Sequence, residues 1–177
     1  MKQIIAINGV GGTGKDTFIN VCSKYIKVVN VSSVDRVKKA AEILGWDGKK
    51  TEKDRKFLSD LKDLSTKYND MPYEDIKKEI NKFYNSNSEV MFIRLREPAE
   101  IKRLTEEYSA KTLLLRRKDV PLIRSNFADS NVENYKYDYV IEINSLGKLD
   151  NQAIEFINEI KSSNEKLNWP FTEIDIK

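Results

Sequence analysis

Residues 7–18 read INGVGGTGKDTF, and this stretch decides the fold. It holds four of the seven glycines of the 177-residue chain, and Lys15 follows the last of them. The spacing Gly9-x-x-x-x-Gly14-Lys15 is that of a phosphate-binding loop. Glycines let a backbone turn tightly and present its N–H groups to an anion, while a following helix adds partial positive charge. We therefore predict that these residues bind nucleotide phosphates: Gly9, Gly11, Gly12, Thr13, Gly14, Lys15, Asp16 and Thr17.

Outward from the loop, the chain alternates between strand and helix patterns. Short apolar runs predict strands at residues 3–8, 28–32, 90–95, 112–115 and 139–143. Apolar residues at helical spacing predict helices at residues 14–26, 35–44, 51–84 (interrupted near 69–72), 98–108 and 149–162. Within 51–84, one stripe consists of Leu58, Leu61, Leu64 and Tyr68. This alternation indicates an α/β fold with a five-stranded parallel sheet.

The length predicts one domain spanning residues 1–177. Its parts are a core at about 1–44 and 88–163, a helical insert at about 45–87 and a lid at about 117–137. The tail at 164–177 has no assignable role.

Composition excludes several kinds of site. The chain has no histidine and one cysteine, Cys22, so zinc sites, histidine triads and internal disulfides are excluded. No apolar run approaches the roughly 20 residues of a membrane span, and no signal peptide is visible. We expect a cytoplasmic protein without a membrane partner. The net charge is +3, and basic residues gather at 102–124, which suits a phosphorylated small molecule, a nucleic-acid backbone or a solvated surface.

Asp16 stands where a phosphate-binding loop ordinarily has serine or threonine. The ordinary hydroxyl ligates Mg²⁺, and a carboxylate can do the same because hard cations favour oxygen ligands. We therefore predict Asp16 and Thr17 as the metal ligands. The alternative is that Asp16 only stabilises the N-terminus of the helix electrostatically.

A phosphate-binding loop alone does not choose between switches, motors and kinases. The chain lacks an Asp-x-x-Gly segment, which a GTPase switch would need, and its third predicted strand ends in Arg94-Leu95-Arg96 in place of a motor's acid. A kinase holds two polyanions end to end and needs several cations in one crevice. The chain offers Lys15, Arg55, Arg94, Arg96, Arg117 and Arg124.

Four segments carry a resemblance to a known family. They are GKDT (14–17), SVDRVK (33–38), RLREPAE (94–100) and DYVIEIN (138–144). Over about residues 2–160 the sequence resembles the deoxynucleoside monophosphate kinases of bacteriophages, relatives of adenylate kinase in the P-loop kinase superfamily. That family also carries Asp after the loop lysine, but its pattern has an acid where this chain has Arg94. Asp16 or Asp35 would have to compensate for the missing acid.

The resemblance implies a three-layer P-loop kinase fold with a five-stranded parallel sheet, a helical monophosphate-binding insert and a lid. It implies that ATP with Mg²⁺ donates its γ-phosphoryl group to a nucleoside monophosphate, with Asn144 beside the adenine. Lys15, Arg117 and Arg124 would act on the transferred group. The acceptor would be bound by Asp35, Lys38, Arg55 and Arg96.

Three alternatives stay open from the sequence. One is a P-loop kinase for another small acceptor, such as dephospho-coenzyme A or a sugar acid. Another is a nucleotide-binding protein without catalysis, motivated by Arg94. The third is a kinase of nucleic-acid ends, although we expect small nucleotides and not nucleic acid as partners. The sequence predicts neither the preferred base nor the oligomeric state.

Overall fold

The computed structural model describes residues 2–117, 132–143 and 149–167. The strands in these ranges are β1 (Gln3–Asn8), β2 (Val28–Ser32), β3 (Val90–Arg94), β4 (Lys111–Arg116) and β5 (Tyr139–Glu142). The helices are α1 (Lys15–Cys22), α2 (Asp35–Ile43), α3 (Glu52–Asn69), α4 (Met71–Tyr84), α5 (Pro98–Tyr108) and α6 (Leu149–Leu167). Strands and helices alternate as the sequence predicts.

The five strands form one parallel sheet in the order β2-β3-β1-β4-β5. The central strand β1 pairs with β3, where Ile7 lies opposite Arg94, and with β4, where Asn8 lies opposite Leu114. The chain leaves β1 toward β2 and leaves β3 toward β4, on opposite sides of this pair. Such a reversal opens a crevice at the carboxyl ends of the two strands, where ligands bind in open α/β sheets.

The core covers both faces of the sheet. Successive side chains of a strand point to opposite faces, so Ile5 and Ile7 pack with α1 and α6, while Ile4 and Ala6 pack with α4 and α5. The first face also buries Cys22 completely, and burial raises the pKa of its thiol to about 12. Because α1 covers one face and α5 the other, the loops after β1 and β3 diverge around the crevice.

Two helix ends differ from the sequence expectation. α1 ends at Cys22 and not near residue 26, because the N–H groups of Lys24 and Tyr25 bond to carbonyls three residues back, both at 3.0 Å, which tightens the chain into a turn. α6 continues to Leu167, past the predicted end at residue 162. The first residues of the predicted tail are therefore helical.

The segment between β2 and β3 contains the long helices α3 and α4. They are separate helices, as predicted, because Asp70 between them adopts a left-handed conformation with φ 54°. No residue of α3 is buried. Of the predicted stripe, Leu58 and Leu61 are half-buried, whereas Leu64 is 65% and Tyr68 84% exposed. The stripe therefore packs only in part.

The division of the chain into core, insert and lid stays a prediction. Most of the predicted lid, at residues 118–131, and the tail after residue 167 lie outside the described residues. Within the described part of the chain, no helix combines the length and the apolar character that crossing a membrane requires.

Candidate functional site

The glycine-rich loop joins β1 to α1 at the carboxyl end of the central strand. Gly9 has φ 145°, and a Cβ atom there would lie 2.5 Å from the backbone oxygen of Leu115 on β4. Gly14 precedes α1 with φ 90°, in the left-handed region. L-residues rarely adopt these conformations, so the loop requires glycine at both of its ends.

Lys15 folds back over this loop. Its ammonium group donates hydrogen bonds to the carbonyl oxygens of Gly9 and Val10, the latter at 3.0 Å. The buried Thr13 hydroxyl also donates to Val10, at 3.0 Å. Among the residues that the structure describes, no side chain caps the N-terminus of α1. A positive group and an uncapped helix N-terminus thus meet at one place, which is the arrangement that binds anions.

Asn8 connects the loop to its surroundings, although the sequence analysis did not single it out. Its buried side-chain oxygen accepts from the Gly9 N–H at 2.8 Å, and its amide donates to the Tyr137 hydroxyl at 2.8 Å. Tyr137 in turn donates to the carbonyl of Val132 at 2.9 Å. Burial raises the pKa of Tyr137 to about 12, so the hydroxyl stays protonated at neutral pH. A polar residue ending an otherwise apolar strand was the available sequence signal.

Arg94 lies between two acids at the crevice. Its Nη1 atom donates to Asp16 Oδ1 at 2.6 Å, and its Nη2 atom is 3.8 Å from Asp35 Oδ1. Asp35 is held in place because its other oxygen accepts from the Ser32 N–H at 2.8 Å. Asp16 belongs to the loop side and Asp35 to the start of α2. Arg94, which stands where the family pattern has an acid, therefore joins the two sides of the site.

The predicted acceptor residues lie in different parts of the structure. Asp35 lies at the crevice, and Lys38 follows it on α2 and is half-buried. Arg96 follows the end of β3 and is half-buried, and its carbonyl accepts from Asn8 at 3.3 Å. Arg55 lies in the first turn of α3, is exposed, and donates to the Lys50 carbonyl at 3.2 Å. Its role in the acceptor site stays a prediction.

The predicted lid residues are described only in part. Arg117 follows β4 and is half-buried. Arg124 and Asn144 lie outside the described residues. Other cations of the basic stretch have carboxylate partners: Lys102 with Glu106, Arg103 with Asp70 and Glu107, Lys111 with Asp138, and Arg116 with Glu133. The charge of this stretch is therefore largely balanced locally.

The oxygen donors near the loop fit Mg²⁺. In nucleotide sites this ion is bound by one or two carboxylates together with phosphate and water oxygens. Arg94 holds one oxygen of Asp16, yet the Asp16 side chain is 68% exposed, and the neighbouring Thr17 is exposed as well. Across the described ranges, no group of three or more His, Cys, Asp or Glu residues could hold a metal by itself. The residues that would hold Mg²⁺ with a nucleotide are Asp16 and Thr17, and the ion would neutralise phosphate charge.

No protein-family model matches the chain, and no curated protein matches it significantly. Among solved structures it is similar to the tunicamycin resistance protein of Deinococcus radiodurans, with a TM-score of 0.57 and 11% identity over 90% of this chain and 96% of that one. A gluconokinase from Sinorhizobium meliloti gives a TM-score of 0.47 and 10% identity over 95% and 98% of the two chains. An APS kinase from Mycobacterium tuberculosis gives 0.41 and 13% over 90% and 97%.

These likenesses concern the fold alone. The first has the higher TM-score, and at their lower scores the other two carry no argument about this chain. The predicted α/β class with a five-stranded parallel sheet is confirmed, and the chain shares this fold with the tunicamycin resistance protein. The resemblance to the bacteriophage monophosphate kinases is finer than the fold and stays a prediction.

Proposed function

We propose that this protein transfers the γ-phosphoryl group of ATP to a nucleoside monophosphate, with a deoxynucleotide as the expected acceptor. The supporting observation is that Arg94, at the carboxyl end of β3, joins Asp16 on the side of the Lys15 loop to Asp35 at the start of α2. In-line phosphoryl transfer needs a donor site and an acceptor site that face each other. A cytoplasmic location, where ATP is available, is part of the proposal.

In this proposal the chain contributes positioning and positive charge, which phosphoryl transfer needs more than covalent help. The loop N–H groups bind the donor phosphates, and the Lys15 ammonium moves from the loop carbonyls to the β- and γ-phosphates. Asp35 and Lys38 orient the acceptor, with Arg55 and Arg96 at its phosphate. Arg117 and Arg124 neutralise the transferred group, and their approach excludes water that would hydrolyse ATP.

The test is a turnover screen of ATP with Mg²⁺ against every nucleoside and deoxynucleoside monophosphate, with ADP release as the readout. Dephospho-coenzyme A and sugar acids belong in the same panel. We expect ADP with one or a few monophosphates, and a Lys15→Ala rate lower by about 100-fold or more. Lys24→Ala is the matched control, because Lys24 is exposed and pairs with Asp150. Full turnover by Lys15→Ala would refute the role of the loop.

A second candidate is a nucleotide-binding protein without catalysis. The contact between Asp16 and Arg94 favours it, since it engages the carboxylate that is proposed for Mg²⁺. In this case ATP would raise the melting temperature, because a ligand of the native state stabilises it. No acceptor in the panel would release ADP.

A further inference from the structure

Asp16 and Arg94 are two departures from the ordinary composition of such a site, and they touch. The loop position ordinarily carries a Ser or Thr hydroxyl, and an acid after a strand ordinarily helps to hold the metal. In this chain the loop carries the acid and β3 ends in the cation. The residues are 78 positions apart in sequence, yet Arg94 Nη1 donates to Asp16 Oδ1 at 2.6 Å.

Arg94 is held more firmly than the arginine of a surface ion pair. Its side chain is 24% exposed, whereas the Arg36 side chain, which meets Asp75 at the same 2.6 Å, is 53% exposed. The backbone of Arg94 lies in the sheet between Ile7 of β1 and Ser32 of β2. Its Nε atom is buried without a hydrogen-bond acceptor among the described residues. The sheet therefore fixes the backbone of Arg94, and its guanidinium is held by the two carboxylates.

The cluster of Asp16, Arg94 and Asp35 keeps a net negative charge although it contains an arginine. The Arg94 guanidinium faces the carboxylates of Asp16 and Asp35, so the three side chains carry one net negative charge. Oxygen ligands and negative charge are what a hard divalent cation requires. The exchange of residue types thus leaves the local charge suitable for Mg²⁺.

We propose that Asp16 and Arg94 form one functional unit, in which Asp16 supplies the acidic oxygen for nucleotide-bound Mg²⁺ and Arg94 is the positioning residue that orients both Asp16 and Asp35. The inference rests on the proposed nucleotide binding. Arg94 holds one oxygen of Asp16, while the exposed remainder of that carboxylate faces solvent, where the metal would bind. Neither residue can then be exchanged alone without loss.

The experiment is a double-mutant cycle read out by nucleotide binding. Calorimetry measures the ATP dissociation constant with Mg²⁺ and with chelator for the wild type, Asp16→Ser, Arg94→Asp and the double variant. The quantity compared is the gain in affinity that Mg²⁺ gives. We expect each single substitution to reduce this gain about tenfold, and the double variant to return to within about threefold of the wild type. The double variant has the ordinary hydroxyl in the loop and the ordinary acid at the end of β3, so an acidic oxygen is again available to the metal.

Three controls separate positioning from folding. Arg36→Gln removes the surface pair of equal length and should leave the gain unchanged. Arg94→Lys keeps the charge but not the planar fork that reaches two carboxylates, so a partial loss is expected. Melting curves identify any variant that fails to fold, in which case Asp16→Asn and Arg94→Gln, alone and combined, replace the cycle, and their losses should not multiply.

Each outcome decides the inference. Independent losses that multiply in the double variant would overturn it. An Arg94→Gln variant that loses affinity equally with Mg²⁺ and with chelator would also overturn it, because Arg94 would then contact phosphate directly. If Mg²⁺ does not change the ATP affinity of the wild type, the inference about Asp16 and Arg94 is overturned but the proposed function is not. If the cycle shows the expected coupling between Asp16 and Arg94 but no acceptor leads to ADP release, only the proposed phosphoryl transfer is overturned. Absence of ATP binding overturns both.

Discussion

Gly9 occupies a backbone position that other residues cannot adopt without strain. Its φ of 145° is unfavourable for L-residues, and an added Cβ would lie 2.5 Å from the Leu115 carbonyl oxygen and 2.9 Å from Thr13 Oγ1. The Leu115 oxygen belongs to the backbone of a buried strand, so it cannot move aside cheaply. Strain and overlap therefore act together at this position.

Gly9→Ala should lower the free energy of unfolding by about 3 kcal/mol. Gly45→Ala is the control, since Gly45 has φ 93° but no atom of the described residues within 4 Å of an added Cβ, and it should cost only about 1 kcal/mol. Urea denaturation of both variants gives the comparison. Equal losses would mean that backbone conformation alone, and not the contact with β4, restricts Gly9.

Ionisation of Glu97 lowers the free energy of unfolding, and the size of this effect depends on pH. Burial raises the pKa of its carboxyl, and nearby Glu100 raises it further, while Lys62 acts in the opposite direction. The folded state then keeps this proton to higher pH than the unfolded state, so the stability that the group contributes is lost as pH rises through the folded pKa. At neutral pH the ionised Glu97 is therefore a net cost to the fold.

Glu97→Gln should raise the melting temperature at about pH 7 by about 1–3 °C. The difference should shrink as pH falls toward about 4, near the ordinary Glu pKa, because the wild-type carboxyl is then protonated too. Thermal melts over this pH range test the expectation. Glu106→Gln, at an exposed position paired with Lys102, should show no such trend.

The helix α3 is joined to α5 by an ion pair. It has no buried residue. Its Lys62 ammonium meets Glu100 Oε1 of α5 at 2.7 Å, with side chains only 14% and 20% exposed. The second oxygen of Glu100 is buried without a hydrogen-bond partner in the described part of the chain. An ion pair that is largely removed from water costs more to break than an exposed one.

Lys62→Ala should therefore loosen α3 without unfolding the core. We expect amide hydrogen exchange in α3 to accelerate by about tenfold, with much smaller changes in α4 and the sheet. Lys56→Ala is the matched control, because Lys56 pairs with Asp60 within α3 and its side chain is 75% exposed. Equal acceleration in α4 and in the sheet would show that the ion pair supports the whole fold.

At the scale of the molecule, periodicity and motif spacing were enough to predict the sheet and the position of the loop. A strand that is buried on both faces leaves a short apolar run in the sequence, as Ile4 and Ile5 of β1 do. The loop is a local motif as well. The contact between Asp16 and Arg94 could not be predicted, because it depends on how β3 packs beside β1 and joins residues that are distant in sequence.

The other differences between the sequence predictions and the structure also come from packing. The apolar stripe of α3 predicts a buried face, but Leu64 and Tyr68 remain exposed, because apolar spacing marks a face without showing what packs on it. Asn8 looked like the end of a strand, and only the fold brings Tyr137 to its side chain. Side-chain partners across elements were the part that sequence reasoning missed.

The distribution of charge over the molecule predicts weak binding to nucleic acid. Cations of the basic stretch meet carboxylates, as Arg116 meets Glu133 and Arg103 meets Glu107. Phosphate-backbone binding depends on cations that are available to displace counterions. We expect no retention of a labelled single-stranded oligonucleotide at about 150 mM salt. Fluorescence anisotropy over a salt series checks this, and tight binding with a steep salt dependence would contradict it.

Burial of Cys22 has a practical consequence for spectroscopy. Thiolates and not thiols attack maleimides, and this thiol is both inaccessible and protonated at neutral pH. A cysteine introduced on the exposed face of α3 would thus be the reactive thiol for a fluorophore, with no need to replace the native one. Distances from that helix to a fluorescent nucleotide could then be followed in the otherwise unaltered protein.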